Sequence, residues 1–301
     1  MVIKTENLNF YFGNQPVIKS LALQVPEGSI FGFLGPNGAG KTTTIKLLLN
    51  LLKLQEGSIS IFGRELLGNR LEILRQIGSL IEQPAIYTHL TGRENLINRA
   101  RLLEVPVNRA DDMLKLVGLN DAGLKKAGNY SLGMKQRLGI GLALLANPKL
   151  LILDEPTNGL DPNGIIEVRE LLIKLAKEEG KTVFVSSHML AEVERMATHV
   201  GIINGGELVF QGSIQDLESI SQPMVQVETD NTADAANYLK RNGYEIGHVT
   251  HSFITLPFTS KDDTATINAA LHNNGHRVYS IGKVQKDLEQ LFLNITQKSS
   301  T

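Results

Sequence analysis

A glycine-rich segment near the N-terminus restricts this chain to a small set of folds. The segment reads Gly-Pro-Asn-Gly-Ala-Gly-Lys-Thr-Thr from Gly35 to Thr43, and it directly follows the apolar run 29–34. Glycines at this spacing allow consecutive backbone N–H groups to converge on a phosphate without interference from a Cβ. A short strand that runs into such a loop and then into a helix predicts an α/β protein that binds a nucleoside triphosphate.

The residue types in this segment suit a magnesium-bound triphosphate. Lys41 offers a positive charge to the β- and γ-phosphate oxygens, and the Thr42 hydroxyl suits Mg²⁺. The helix that begins here adds the positive end of its dipole. The predicted phosphate-binding residues are Gly35, Pro36, Asn37, Gly38, Ala39, Gly40, Lys41, Thr42 and Thr43. A glycine-rich turn that carries Lys and Thr by chance is the weaker interpretation, because an apolar strand precedes the loop.

Composition limits the classes of protein to which the chain can belong. Its 301 residues favour two domains, and the absence of cysteine excludes disulfide frameworks and thiolate metal sites. The 30 Lys and Arg residues nearly balance the 31 Asp and Glu residues, so nucleic acid is not an expected partner. The sequence shows no secretory signal and no run of about 20 apolar residues. We therefore expect a cytoplasmic protein that reaches a membrane only through a partner.

Apolar patterns predict a large α/β domain over residues 1–219. Two alternating segments before the loop, 2–11 and 16–25, predict a small antiparallel sheet. The continuous apolar runs 150–153 and 182–186 are typical of parallel strands buried on both faces. Helical patterns over 91–117, broken at Pro106, define a helical subdomain of about 84–146.

A smaller C-terminal α+β domain is predicted for residues 224–301, beyond a polar stretch. The order of its segments is compatible with a ferredoxin-like fold. These segments are strand 224–228, helix 233–242, strand 244–249, strand 253–257, helix 262–274 and strand 276–281, followed by a final helix over 285–295. This domain carries no chemical motif.

Two acidic residues follow the buried strand 150–153. Asp154 and Glu155 stand at the carboxyl end of a strand, where α/β sheets place their ligands. Asp154 would hold Mg²⁺ directly or through water, and Glu155 would act on the water that attacks the γ-phosphorus, as a general base or a water-orienting group. Solvated acids at a strand end are the alternative, but the phosphate loop upstream favours the catalytic interpretation.

A second anion site is predicted downstream. The segment 129–137 opens a helix, so the Ser131 hydroxyl and the first unpaired N–H groups can face an anion. A capped helix alone explains these residues equally well. Together with the phosphate loop and with the acidic pair 23 residues later, however, the segment resembles the signature motif of ATP-binding cassette (ABC) ATPases. Ser131 and Gly133 then stand at the serine and the second glycine of that motif.

This resemblance covers roughly residues 1–219 and implies a known architecture. The expected fold is a P-loop NTPase cassette with a mixed core sheet, an antiparallel β subdomain and a helical insertion, and the expected ligands are ATP and Mg²⁺. Residues 158–161 resemble the D-loop, which adds Asp161 to the ATP site. His188 resembles the switch histidine that contacts the γ-phosphate. Phe12 resembles the aromatic residue that stacks on adenine, with the neighbouring Tyr11 as the alternative.

One position departs from the family pattern. Glu82 stands where the family has glutamine, while Gln83 is displaced by one residue. Either side chain offers an oxygen to Mg²⁺ or water, but Glu82 adds negative charge near Asp154 and Glu155. Glu82 is therefore a candidate metal ligand and catalytic residue, with neutral variation as the alternative. Three features together resemble bacterial exporters of bacitracin and lantibiotics. These are the glutamate at position 82, the Leu-Gly-Met form of the signature and the C-terminal domain.

The resemblance also implies partners. One phosphate loop and one signature helix per chain require an ATP-sandwiched homodimer, and export requires separate integral-membrane permease subunits that contact the region 82–103. A soluble ABC ATPase that remodels ribosomes or nucleic-acid complexes is the rival hypothesis. The single cassette, without heptads or a basic linker, weighs against it. A phosphotransferase kinase would leave the signature helix unexplained.

Overall fold

The computed structural model describes residues 1–220 and 223–284, which form two compact units that divide between Ile214 and Gln215. The predicted helix 285–295 lies outside these residues. The strands of the first unit are β1 (Ile3–Phe12), β2 (Gln15–Leu21), β3 (Gln24–Val25), β4 (Ile30–Leu34), β5 (Glu56–Ile61), β6 (Arg64–Glu65), β7 (Ile77–Leu80), β8 (Leu150–Leu153), β9 (Thr182–Ser187), β10 (His199–Asn204) and β11 (Glu207–Ser213). Its helices are α1 (Lys41–Leu48), α2 (Leu66–Leu74), α3 (Gly92–Leu102), α4 (Arg109–Leu116), α5 (Leu132–Leu144), α6 (Pro162–Lys177) and α7 (Leu190–Glu194), and α8 (Ile214–Ile220) begins at the boundary.

The central sheet of the first unit carries the phosphate loop. Its strand order is β11-β10-β4-β9-β8-β7, parallel from β10 to β7, with β11 antiparallel at one edge. Strands β4, β8 and β9 are buried along their whole length, as their continuous apolar sequences favour. The predicted mixed core sheet of an α/β cassette is therefore confirmed.

A second, antiparallel sheet packs beside the phosphate loop. Its order is β2-β1-β5-β6, and β3 pairs with β1. Its apolar side shares one core with α1 and the central sheet. Main-chain hydrogen bonds join it to the loop, because Gly206 N donates to Ala39 O at 3.1 Å and Lys19 N donates to Gly206 O at 2.9 Å. Only glycine fits at this junction, since a Cβ on Gly206 would lie 2.4 Å from Val17 O.

The segment between β7 and β8 contains α3, α4 and α5, which pack against one another as the predicted helical insertion. Helix α3 starts with a capping box, in which Glu94 N donates to the Thr91 hydroxyl and Thr91 N donates to the Glu94 carboxylate. These hydrogen bonds hold the pKa of Glu94 below its ordinary value. Over residues 1–220 and 223–284, we find no helix whose length and apolar character would allow it to span a bilayer.

The second unit contains β12 (Met224–Thr229), α9 (Thr232–Arg241), β13 (Phe253–Pro257), α10 (Lys261–Asn273) and β14 (Val278–Val284). The sheet is antiparallel with the order β13-β12-β14, and α9 and α10 share an apolar core with it. The prediction of a regular strand over 244–249 is wrong. Gly247 N donates to Thr255 O and His248 N donates to the Thr255 hydroxyl, so two residues oppose one and the ladder breaks, as in a bulge. An isolated bridge between Val249 and Ile254 remains.

Glycine at position 32 fixes how α7 packs on β4. A Cβ on Gly32 would lie 2.1 Å from Val193 Cγ1. We therefore expect Gly32→Ala to lower the free energy of unfolding by about 1–3 kcal/mol, because the extra methyl overpacks a closed contact. Urea unfolding followed by circular dichroism would measure this. Gly68→Ala in α2 is the matched control, since a Cβ there meets nothing within 4 Å, and an unchanged stability for Gly32→Ala would contradict the packing.

Candidate nucleotide-binding site

The phosphate loop lies between the buried end of β4 and the start of α1. Its tip, Pro36 to Gly38, is exposed, whereas Gly35 and Gly40 are buried. Gly38 and Gly40 have left-handed backbone angles, with φ of 81° and 109°. Gly40 is also the N-cap of α1 and places no side-chain cap on the first turn. The start of α1 thus presents its N-terminal end to the loop, an arrangement that favours a bound anion.

Lys41 sits at the base of this loop. Its ammonium group donates to Gly35 O at 2.7 Å and to Pro36 O at 3.3 Å. The same Nζ atom lies 3.3 Å from Oε1 of Glu155, and the lysine side chain is only 6% exposed. A buried ammonium needs such partners, since an unpaired charge away from water is costly. The loop therefore holds one positive charge directly beside the predicted catalytic carboxylate.

Thr42 and Asp154 are joined at the carboxyl edge of the central sheet. The Thr42 hydroxyl donates to Oδ2 of Asp154 at 2.8 Å, and the Ser186 hydroxyl donates to Oδ1 at 2.6 Å. Ser186 also accepts from Glu155 N at 2.9 Å. Ser186 was missed by the sequence analysis, although a serine at the end of an apolar strand that precedes His188 is a usable signal. Its hydroxyl fixes both acidic residues.

The oxygens of Thr42 and Asp154 fit a magnesium ion that takes its other ligands from phosphate and water. Asp154 is 3% exposed and its carboxylate is oriented by two hydroxyl donors, which suits a preformed ligand. In the part of the chain that the structure describes, no group of three or more His, Asp and Glu side chains could hold a metal by itself. An ion at this position would therefore be shared with the nucleotide.

Glu155 and His188 meet where β8 and β9 end. His188 Nδ1 lies 2.7 Å from Oε2 of Glu155, while Oε1 of the same carboxylate faces Lys41. Glu155 has a left-handed backbone, with φ of 48°, which is uncommon outside glycine. Such backbone angles persist only where the surrounding contacts hold them. The carboxylate is thus placed between a loop lysine and a histidine from the neighbouring strand.

Glu82 pairs with a lysine that the sequence analysis did not single out. Its Oε1 lies 2.9 Å from Lys46 Nζ, and its side chain is 65% exposed. Lys46 lies on α1 four residues after Thr42, so both side chains lie on the same face of the helix. This spacing from a predicted site residue is a signal that could have identified Lys46. The additional negative charge predicted near Asp154 is therefore balanced by Lys46. Glu82 also has a left-handed φ of 58°, as Glu155 does.

The candidate adenine-stacking residue lies at the turn between β1 and β2. Phe12 is 54% exposed, and its ring meets Phe10 edge-on at 4.9 Å between centroids. The alternative, Tyr11, is half-buried. Strand β2 reaches the phosphate loop, since a Cβ on Gly40 would lie 2.6 Å from Ile18 Cδ1. The hairpin that carries Phe12 is therefore attached to the loop.

Ser131, Gly133 and Asp161 form a second group at the starts of α5 and α6. Ser131 caps α5, because its hydroxyl accepts from Met134 N at 3.2 Å. Asp161 caps α6, because its carboxylate accepts from Gly164 N at 3.2 Å. The two helix starts touch, since a Cβ on Gly133 would lie 3.7 Å from Gly164 Cα. This group and the one around Lys41 are built on different elements.

The residue before Ser131 anchors this second group. The Tyr130 hydroxyl donates to Ala122 O at 2.7 Å, and a Cβ on Gly92 would collide with the oxygen of that hydroxyl. Burial raises the pKa of the Tyr130 phenol above its ordinary value, which favours the neutral form that donates this hydrogen bond. The segment that leads into α5 is therefore fixed against α3.

Known proteins resemble the chain over this whole arrangement. Residues 18–158 match the family model described as ABC transporter. The bacitracin transport ATP-binding protein BcrA of Bacillus licheniformis is 41% identical over 299 residues, which cover 98% of this chain and 97% of that protein. The lantibiotic transport ATP-binding protein SrtF of Streptococcus pyogenes is 40% identical over 221 residues, which cover 73% of this chain and 95% of that protein.

A solved structure gives the same result for the fold. An ATP-binding cassette solved as a dimer in a post-hydrolysis state, bound to ADP and Pi, superposes with a TM-score of 0.63 at 26% identity, and the match covers 70% of this chain and 98% of that one. The resemblance to ABC ATPases is thereby confirmed. The chain belongs to the ABC transporter family and is one of its ATP-binding, ATP-hydrolysing subunits.

Proposed function

We propose that this chain is the ATPase of a bacterial exporter and powers the removal of a peptide antibiotic, lipid or drug through separate membrane subunits. The observation that carries the proposal is the similarity to a bacitracin transport protein, which is 41% identical over 98% of this chain. This match includes the second unit as well as the cassette. The geometry of the nucleotide site supports the chemistry that such a subunit performs.

Binding of ATP falls to the phosphate loop and the β1–β2 hairpin. Lys41 and the start of α1 would face the β- and γ-phosphates, where the ammonium charge and the helix dipole act on the same anion. Phe12 would stack on the adenine ring, because its exposed ring lies on the hairpin that is attached to the loop. Both ends of the nucleotide thus have a surface in one copy of the chain.

Thr42 and Asp154 would hold Mg²⁺, with Glu82 as a further oxygen donor in our proposal. When bound, the ion would neutralise developing charge on the phosphate oxygens. Glu82 would have to exchange its contact with Lys46 for one with the ion or its water. The exposed, single ion pair allows this exchange, since such pairs are worth only about 0–1 kcal/mol.

Glu155 and His188 would carry the hydrolytic step. The Glu155 carboxylate would orient or deprotonate the water that attacks the γ-phosphorus, and His188 would contact the γ-phosphate from the neighbouring strand. Their 2.7 Å contact supports a joint action, because it fixes the carboxylate and the imidazole relative to each other. Lys41 lies close enough to the same carboxylate to move between it and the phosphate.

A complete site would need two copies of the chain. Ser131, Gly133 and Asp161 would contact ATP bound to the loop of the partner copy, so that two nucleotides join a homodimer. The capped start of α5, with its N–H groups and Ser131 hydroxyl, suits a γ-phosphate oxygen. Hydrolysis would remove the charge that both copies share and would open the dimer. The region 82–103 would pass this movement to the membrane subunits.

Co-purification from native membranes tests the transport assignment. We expect an affinity-tagged copy of the chain to bring down an integral-membrane polypeptide, and we expect this complex to persist in the Glu155→Gln variant. Mass spectrometry of the eluate identifies the partner. Recovery of ribosomes or nucleic acid in place of a membrane polypeptide would overturn the proposal in favour of the soluble remodelling class.

A further inference from the structure

A buried carboxylate contacts the loop that follows the proposed catalytic residue Glu155. Glu192 on α7 is 9% exposed, and its Oε2 accepts a hydrogen bond from the Thr157 hydroxyl. Thr157 is 6% exposed and follows Glu155 by two residues. A buried carboxylate is costly unless it is hydrogen-bonded. This contact therefore stabilises the position of the loop after β8, and no step of the proposed hydrolysis uses it.

Helix α7 is also held by strands of the central sheet. Val193, the next residue, packs directly on Gly32 of β4, the strand that leads into the phosphate loop. At its start, α7 follows His188, and Met189 N donates to the Ser187 hydroxyl at 3.0 Å. Glu192 therefore connects the loop of Glu155 to a helix whose place is set by β4 and β9.

The same loop also reaches the second group of site residues. Beyond Thr157, Leu160 N donates to Thr157 O at 3.2 Å, which closes a turn. A Cβ on Gly159 would lie 3.2 Å from Leu132 Cδ2, so this turn touches the start of α5 beside Ser131. Thr157 is thus at the junction between the hydrolytic pair and the signature helix.

We infer that Thr157 and Glu192 are positioning residues for ATP hydrolysis. Their hydrogen bond holds the Glu155 loop against α7, so that the Glu155 carboxylate stays in reach of His188 and of the attacking water. This inference rests on the proposed role of Glu155. Since neither residue lies in the phosphate loop, their loss affects the hydrolytic step rather than nucleotide affinity.

Two substitutions of Thr157 separate the hydroxyl from the side-chain shape. Thr157→Val keeps the shape and removes the donor, whereas Thr157→Ser keeps the donor and removes a methyl group. We expect Thr157→Val to lower the hydrolysis rate at saturating ATP about tenfold or more, with ATP affinity within about twofold, because a misplaced base slows chemistry without weakening binding. Thr157→Ser is expected to retain the rate within about threefold.

Glu192 is tested in the same assay. Glu192→Gln keeps an acceptor oxygen of the same shape and is expected to retain more activity than Glu192→Leu, which removes it. Combining Thr157→Val with Glu192→Leu is expected to cost no more than the worse single change, because both remove one contact. Thermal unfolding of every variant shows whether it is folded. If Thr157→Val or Glu192→Leu unfolds the protein, the hydrolysis rates of Thr157→Ser and Glu192→Gln are compared with the wild-type rate instead.

Three results would overturn the inference. These are a wild-type rate in Thr157→Val, an equal loss in the Val and Ser variants, or an ATP affinity that falls in step with the rate. Glu155→Gln, measured alongside, separates the two proposals. If it hydrolyses ATP normally, the proposed role of Glu155 fails. If it is inactive while Thr157→Val is normal, only the positioning role fails.

Discussion

Replacing Glu155 with Gln is expected to lower the rate of ATP hydrolysis roughly 100-fold or more, because an amide cannot accept the proton of the attacking water. ATP binding is expected to persist, since the change also removes a negative charge close to Lys41 and to the phosphates that Lys41 would bind. With ATP bound and hydrolysis blocked, the variant is expected to elute as a dimer on gel filtration. Phosphate release and equilibrium ATP binding give the other two measurements.

Glu65 offers a matched control for this change. It is an exposed carboxylate at the start of α2 and makes no side-chain cap there. Glu65→Gln is expected to hydrolyse ATP at the wild-type rate and to show no ATP-dependent dimer beyond that of the wild type. A Glu155→Gln variant that turns over normally and stays monomeric with ATP would refute the assignment of the catalytic base.

Mixing two inactive variants is expected to restore activity. Lys41→Ala removes the ammonium from the phosphate loop, and Ser131→Arg blocks the start of α5, so each variant alone loses both sites of its homodimer. A mixed dimer keeps one site intact, formed by Lys41 of one copy and Ser131 of the other. Random mixing at equal concentrations gives half mixed dimers, hence about 25% of wild-type hydrolysis if sites act independently.

The control for this experiment is a mixture that cannot complement. Copies that carry both Lys41→Ala and Ser131→Arg contribute no intact half-site, so adding them to either single variant is expected to leave hydrolysis at background. Lys53→Ala, which removes an exposed lysine beyond α1, is expected to behave as the wild type. If the Ser131→Arg variant alone hydrolyses ATP at full rate, the site is complete within one copy and the dimer proposal fails.

Local sequence patterns predicted those features that depend on residues close together in the chain. Asp161 followed by Pro162 is a sequence pattern that predicts the start of a helix, and Asp161 caps α6 by accepting from Gly164 N. Ser131 was predicted to cap α5 and does so. Such caps form between residues three apart, so the sequence contains both partners at a fixed spacing.

Contacts between distant segments were not predictable in the same way. Thr157 bonds to Glu192 across 35 residues and Lys46 to Glu82 across 36, and both contacts depend on how the strands of the central sheet are ordered. No local pattern encodes that order. Local patterns therefore identified the acidic residues of the site but not Ser186 and Lys46, which contact Asp154 and Glu82.

Two errors in element prediction also arose from tertiary context. The sequence pattern predicts a brief helix over 71–76, but α2 begins at Leu66, where Leu66 and Ile73 are both buried. The backbone of Asn69 is non-helical, so a kink separates the extra first turn from the segment that the pattern predicts. The prediction of a strand over 244–249 is wrong because His248 N donates to the side-chain hydroxyl of Thr255 on the neighbouring strand, where a regular ladder would have a backbone carbonyl as acceptor.

The main-chain bonds at Gly206 have a consequence for how a nucleotide enters. They connect the hairpin of Phe12 to the phosphate loop through main-chain atoms alone. If Phe12 stacks on the base as proposed, the surfaces for the base and for the phosphates are therefore linked by backbone. We then expect nucleotide entry and release to depend on the exposed loop tip, Pro36 to Gly38, or on separation of the proposed partner copy.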